Sequence, residues 1–81
     1  MSQVSVGLGR AVRRLRTNAG HSQERFAQIV GLDRTYGSRI ERGLANVTLD
    51  VLDRIAKALH IGLGELLSEV EKEIRPGKRR S

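Results

Sequence analysis

The sequence predicts an all-α domain built from five short helices. Three observations carry that prediction: no segment alternates apolar and polar residues with period two, apolar residues recur at helical spacing in five separate stretches, and residues that start or stop helices bound those stretches. In the first stretch Leu8, Ala11, Val12, Leu15 and Ala19 share one face from Leu8 until Gly20 stops it. Ser22 can cap a second helix of barely two turns, with Glu24 near its positive end, Phe26, Ala27 and Val30 on its inner side, and Gly31 as its stop. Asp33 can cap a third that runs to Arg42, with Gly43 beyond it. Thr48 can cap a fourth with the clearest stripe of all, Leu49, Leu52, Ile55, Ala56 and Leu59, and Val47 opposite Leu52 as a hydrophobic staple. Ile61 and Leu66 staple a fifth around Gly62, which carries Leu63, Leu66, Leu67, Val70 and Ile74. The expected organisation is one domain over residues 1–74, the last helix serving dimerisation, followed by a disordered basic tail at 75–81, where Pro76 and Gly77 oppose further helix.

Composition narrows the function before any motif is read. A chain of 81 residues encloses one hydrophobic core, and without Cys it has no disulfides, thiolate metal sites or thiol nucleophiles. No apolar run approaches a membrane span and no secretory pattern precedes Arg10, so the expected location is cytoplasmic, at the nucleoid. The only aromatics, Phe26 and Tyr36, are too few for a protein that binds single strands by base stacking. The net charge of +6 is unevenly placed. Through Arg42 eight basic residues face three acidic ones, from Gly43 to Ile74 three face six, and the tail adds four with no acid. A cationic front half suits a polyanion, and an ordinary solvated basic surface is the competing explanation.

Between Gln23 and Arg42 the two short helices are joined by Gly31-Leu32, too tight a link for antiparallel packing, so they must cross steeply as a helix-turn-helix. Ala27 permits close approach, Gly31 suits a left-handed turn, and Phe26, Val30, Leu32 and Ile40 supply a shared core. At 100° per residue, Arg34, Thr35, Ser38, Arg39 and Arg42 fall within a sector of about 140°, with Gly37 and Ile40 opposite. Three guanidiniums and two hydroxyls without an acid match the donors needed for guanine edges and phosphates in a major groove.

These residues resemble a known family. Ser22-Gln23-Glu24-Arg25-Phe26-Ala27, then Gly31-Leu32-Asp33-Arg34-Thr35-Tyr36 and Ser38-Arg39-Ile40-Glu41-Arg42-Gly43, are similar to the Xre-type, phage-repressor and Cro-like helix-turn-helix regulators. Leu8-Gly9, Arg16 and the region from Leu52 to Leu67 fit as well, so the resemblance spans about residues 8–68. Leu-Asp-Arg-Thr-Tyr followed by Ile-Glu-Arg looks like the controller proteins of restriction–modification systems. The resemblance implies a five-helix lambda-repressor-like fold and a set of roles. Gln23 would bind a DNA phosphate and brace the recognition helix; Arg34, Thr35 and Arg39 would face bases; Tyr36 and Ser38 would make flanking contacts; Asn46 would touch the backbone from a loop. Arg16 and Glu41 would form a structural salt bridge between the first and third helices. Two positions depart from the pattern: Gly37 stands where the family usually has Ile or Val in the core, which implies a mobile recognition helix, and Ala45 where controllers often carry a basic residue.

The apolar stripe Leu63, Leu66, Leu67, Val70 and Ile74 exceeds the evident need of a small core, and a two-fold dimer would double the length of DNA read. Chemistry is not expected: His21 and His60 are isolated helix-boundary residues, no metal or cofactor motif is present, and Asp50 and Asp53 suit a helix start. The expected function is sequence-specific binding of double-stranded DNA by a homodimeric transcriptional regulator on a near-palindromic operator, with no enzyme activity, cofactor, small-molecule effector or membrane partner. The alternatives are an antitoxin-like protein-interaction module and a nonspecific nucleic-acid binder.

Overall fold

The computed structural model describes residues 2–75, so the expectation for the tail lies outside the described residues except at Arg75. They form α1 (Gln3–Asn18), α2 (Gln23–Val30), α3 (Arg34–Glu41), α4 (Leu49–Ala58) and α5 (Leu63–Ile74), with no strand among them. The caps read from the sequence close these helices. Ser22 Oγ accepts from the Arg25 N–H at 3.0 Å, Asp33 Oδ2 from Thr35 at 2.9 Å and Thr48 Oγ1 from Val51 at 3.1 Å, each satisfying a donor that the first turn leaves without a partner. Arg42 is the C-cap of α3 rather than its last helical residue.

One boundary differs by more than a residue. The α1 helix begins at Gln3, five residues before the expected Leu8, because Ser2 caps it and accepts from the Ser5 N–H at 3.0 Å. Gly7 and Gly9 lower helix propensity in this turn, yet both are buried where neighbouring elements press on the helix. A Cβ on Gly9 would stand 2.6 Å from the carbonyl oxygens of both Ile40 and Glu41, so a glycine here lets α1 and the end of α3 touch through their backbones.

Helix α1 packs along α5 on one flank and against α3 on another, while α2 contacts both α3 and α4, and α4 contacts α5. The core between them holds Leu8, Ala11, Val12, Phe26, Val30, Ile40, Ile55, Ala56, Leu66 and Val70. This corrects part of the dimer expectation. Leu66 is 0% exposed and Val70 4%, so both fill the chain's own core and are out of a partner's reach; Leu63 and Ile74 are half-buried, and Leu67 is exposed. The stripe on α5 is shared between core and surface because α1 and α4 cover one side of the helix. Ala45 is likewise a core residue, so the position where the resembled controllers often carry a basic residue is buried in this chain.

Candidate nucleic-acid interface

The presentation of α3 starts with the turn before it. Gly31 has φ +86°, a left-handed conformation that costs other L residues about 1–2 kcal/mol, and the Leu32 N–H returns to the Ala27 carbonyl at 2.8 Å. Asp33 then caps the next helix, so α2 and α3 are joined through Gly31, Leu32 and Asp33 and pack on each other. A Cβ placed on Gly37 would lie 3.4 Å from Ala27 Cβ, which is ordinary contact. Beneath it a small recess is lined by Val12, Phe26, Ala27, Leu32, Ile40 and Ile55, in the space that a larger residue at position 37 would occupy.

Behind α3 a polar network fixes its far end. Arg16 Nε and Nη2 donate to the Glu41 carboxylate at 2.6 and 2.9 Å, the two-bond pairing that suits a planar guanidinium. Their side chains are only 10% and 5% exposed. Arg16 Nη1 also donates to the His21 carbonyl at 2.9 Å, and Gln23 Nε2 to Glu41 Oε1 at 3.2 Å. The expected pair is therefore present, and Gln23 joins it, so the residue at the start of α2 braces the end of α3 directly.

The outer face differs from this interior. Arg34, Thr35, Arg39 and Arg42 are exposed and Ser38 is half-buried. Among the described residues none of the three arginines is paired with a carboxylate. Arg39 Nη2 donates to the Leu44 carbonyl at 3.0 Å, which ties the recognition helix to the loop that carries Asn46. Asn46 is exposed and its Oδ1 accepts from Ser5 Oγ at 3.3 Å, so α1 anchors this loop from the other side. Tyr36 is half-buried and packs on the core.

Sequence reasoning missed two supporting residues. Ser5 is buried and links the Ser2 cap to Asn46. Arg54 of α4 donates to the carbonyls of Val30 and Gly31 at the end of α2. Neither has a local signature, since each acts on a group more than twenty positions away; Arg54 merely reads as a polar residue on an amphipathic helix.

Comparison with known proteins agrees with this geometry. The family profile described as helix-turn-helix matches residues 12–66. The control protein C.MunI of Mycoplasma sp is 43% identical over 74 residues, which cover 90% of this chain and 100% of that protein. The crystal structure of the restriction–modification controller protein C.AhdI from Aeromonas hydrophila superposes with a TM-score of 0.73 at 45% identity, over 76% of this chain and 94% of that one. A restriction–modification controller tetramer solved in complex with its natural 35 base-pair operator gives a TM-score of 0.82 at 32% identity, over 91% and 97%. The chain thus belongs to the helix-turn-helix family, among relatives that include restriction–modification control proteins.

Proposed function

We propose that this chain is a sequence-specific, double-stranded DNA-binding transcriptional regulator of the restriction–modification controller type, acting as a homodimer. One observation carries the reading: the outward face of α3 and its C-cap present Arg34, Arg39 and Arg42, none of them paired with a carboxylate among the described residues, on the second helix of a helix-turn-helix. In a major groove the guanidiniums of Arg34 and Arg39 donate to guanine O6 and N7, Thr35 and Ser38 add hydroxyl contacts, and Arg42 lies against phosphate. Tyr36 flanks these contacts. Gln23 serves both as brace and as phosphate donor, and Asn46 approaches the backbone with the N–H groups that its bond to Ser5 leaves uncommitted. The chain works in the cytoplasm at the nucleoid, without a cofactor and without catalysis.

Two such units read a near-palindromic operator across successive major grooves. On α5 the residues of the stripe that the core leaves accessible, Leu67 at 39% exposed and half-buried Leu63 and Ile74, supply the dimer face. Selection from random duplexes with the full chain tests the reading. Enrichment of a two-fold symmetric motif is the expected result, and equal, salt-sensitive binding to every duplex contradicts it. Sedimentation equilibrium tests the dimer: Leu67→Glu should shift the chain to monomer, and an unchanged dimer would place the interface elsewhere.

A further inference from the structure

Arg54 lies midway along α4 and directs its guanidinium at the end of α2. Nη2 donates to the Gly31 carbonyl at 2.8 Å and to that of Val30 at 3.1 Å, while Nε donates to Val30 O at 3.3 Å. These are carbonyls that a final helical turn leaves without partners, at the negative end of the helix dipole. A planar fork of donors can engage both at once, which an ammonium group matches poorly. Asp50 Oδ2 stands 3.9 Å from Arg54 Nη1, on the helical turn before it. The approach is close enough that a Cβ on Gly31 would come within 2.9 Å of Nη2.

The carbonyls so held belong to the turn from which α3 departs, and α4 does not carry the reading face. We infer that Arg54 is a positioning residue for DNA reading: by clamping the end of α2 it fixes the turn, and through the turn the direction in which α3 presents Arg34 and Arg39. The inference rests on the DNA-reading function proposed above. It separates Arg54 from the exposed arginines of α3, because Arg54 acts through backbone and not through contact with nucleic acid.

Arg54→Gln and Arg54→Lys in the full chain test it, with two probes: the duplex that the wild-type protein enriches from a random pool, and a scrambled duplex of the same length and composition. The preference for the enriched duplex should fall roughly tenfold in Arg54→Gln and less in Arg54→Lys, because small misplacements of a reading element are costly. Affinity for the scrambled duplex and its salt dependence should stay at the wild-type level. In the DNA-free protein, amide exchange at Gly31 and Leu32 should quicken while that of α5 is unchanged. A parallel loss on both duplexes, with the salt slope reduced by about one, would make Arg54 a phosphate contact and overturn the inference. A preference unchanged despite lower thermal stability would overturn it too. If the wild type enriches no duplex, the DNA-reading function fails by itself and exchange at the turn decides alone: faster exchange in Arg54→Gln supports the clamp, and unchanged exchange overturns it.

Discussion

On α4 and α5 every cation has an acid within reach: Lys57 meets Asp53 at 3.0 Å, Lys72 meets Glu69 at 3.1 Å and Arg54 lies 3.9 Å from Asp50. Arg14 of α1, which faces the same end, bridges Glu69 and Glu73 at 3.0 Å each. On α3 and its cap Arg34, Arg39 and Arg42 have no acid partner among the described residues; of the nearby carboxylates, Asp33 caps the helix and Glu41 is committed to buried Arg16. The same residue type is paired with acids in one region and left without an acid partner in the other, where Arg39 gives one N–H group to the Leu44 carbonyl. Net charge alone therefore does not locate an anion-binding face. The absence of local compensation narrows the candidates, because a paired guanidinium must give up its partner before it can engage phosphate or a base edge. Arg10, Arg13 and Arg25 also lack an acid partner among the described residues, and it is the place on the second helix of the helix-turn-helix that singles out α3.

The contrast can be broken most severely from inside. Arg16→Ala would leave the Glu41 carboxylate, 5% exposed, with only Gln23 as a donor, and should cost about 3–5 kcal/mol in chemical denaturation. A loss under about 1 kcal/mol would show that the pair does not hold α3 in place. Next in size is Gly9→Ala, which forces a methyl group toward the Ile40 and Glu41 carbonyls and should destabilise by about 1–3 kcal/mol. Faster amide exchange should then concentrate in α3 and spare the contact between α1 and the end of α5; uniform exchange would show that the two regions do not separate.

A smaller change sharpens the reading region. Gly37→Ala adds a methyl in ordinary contact with Ala27 and removes a glycine from a helix interior, so it should stabilise by about 1 kcal/mol, seen as a higher Tm. A lower Tm would mean that the recess below Gly37 does not admit the group. The smallest effect belongs to the compensated end. Hydrogen bonds from Lys72 and then Arg14 hold the Glu69 carboxyl below its ordinary value of 4.5. Its contribution is thus fully present above that value and is lost as pH falls through the lowered one. The stability difference between wild type and Glu69→Gln should be under about 1 kcal/mol, constant from neutral pH down to the ordinary carboxylate range, and vanishing below it. A difference that grew on acidification would contradict the pairing.

How far the sequence could be read follows from where the determining contacts lie. Ser22, Asp33 and Thr48 cap helices a few residues away, so their roles were legible from neighbours alone, as was the turn at Gly31. The Arg16–Glu41 bridge spans 25 positions and was reached only through the family resemblance. The start of α1 is not legible because the apolar stripe begins only at Leu8, and the turn before it, capped by Ser2, carries no comparable periodicity. That Leu66 and Val70 fall to the core and not to a partner is not legible either, because periodicity shows that a stripe must be covered without showing which surface covers it. Arg54 escaped notice for a related reason: a side chain that bonds to distant backbone carbonyls places no demand on the identity of its partners.

The most direct test of the central claim sets single cations of the two regions against each other at equal net charge. Arg34→Ala, Arg39→Ala, Lys57→Ala and Lys72→Ala each remove one positive charge, and each variant is titrated against the duplex enriched by the wild-type protein and its single-base variants. Each arginine change should cost about 1–3 kcal/mol and relax discrimination at particular base pairs, while each lysine change leaves affinity within about threefold. Equal losses from all four, with no base position relaxed, would mean that the protein responds to DNA through its total charge and that α3 does not read sequence.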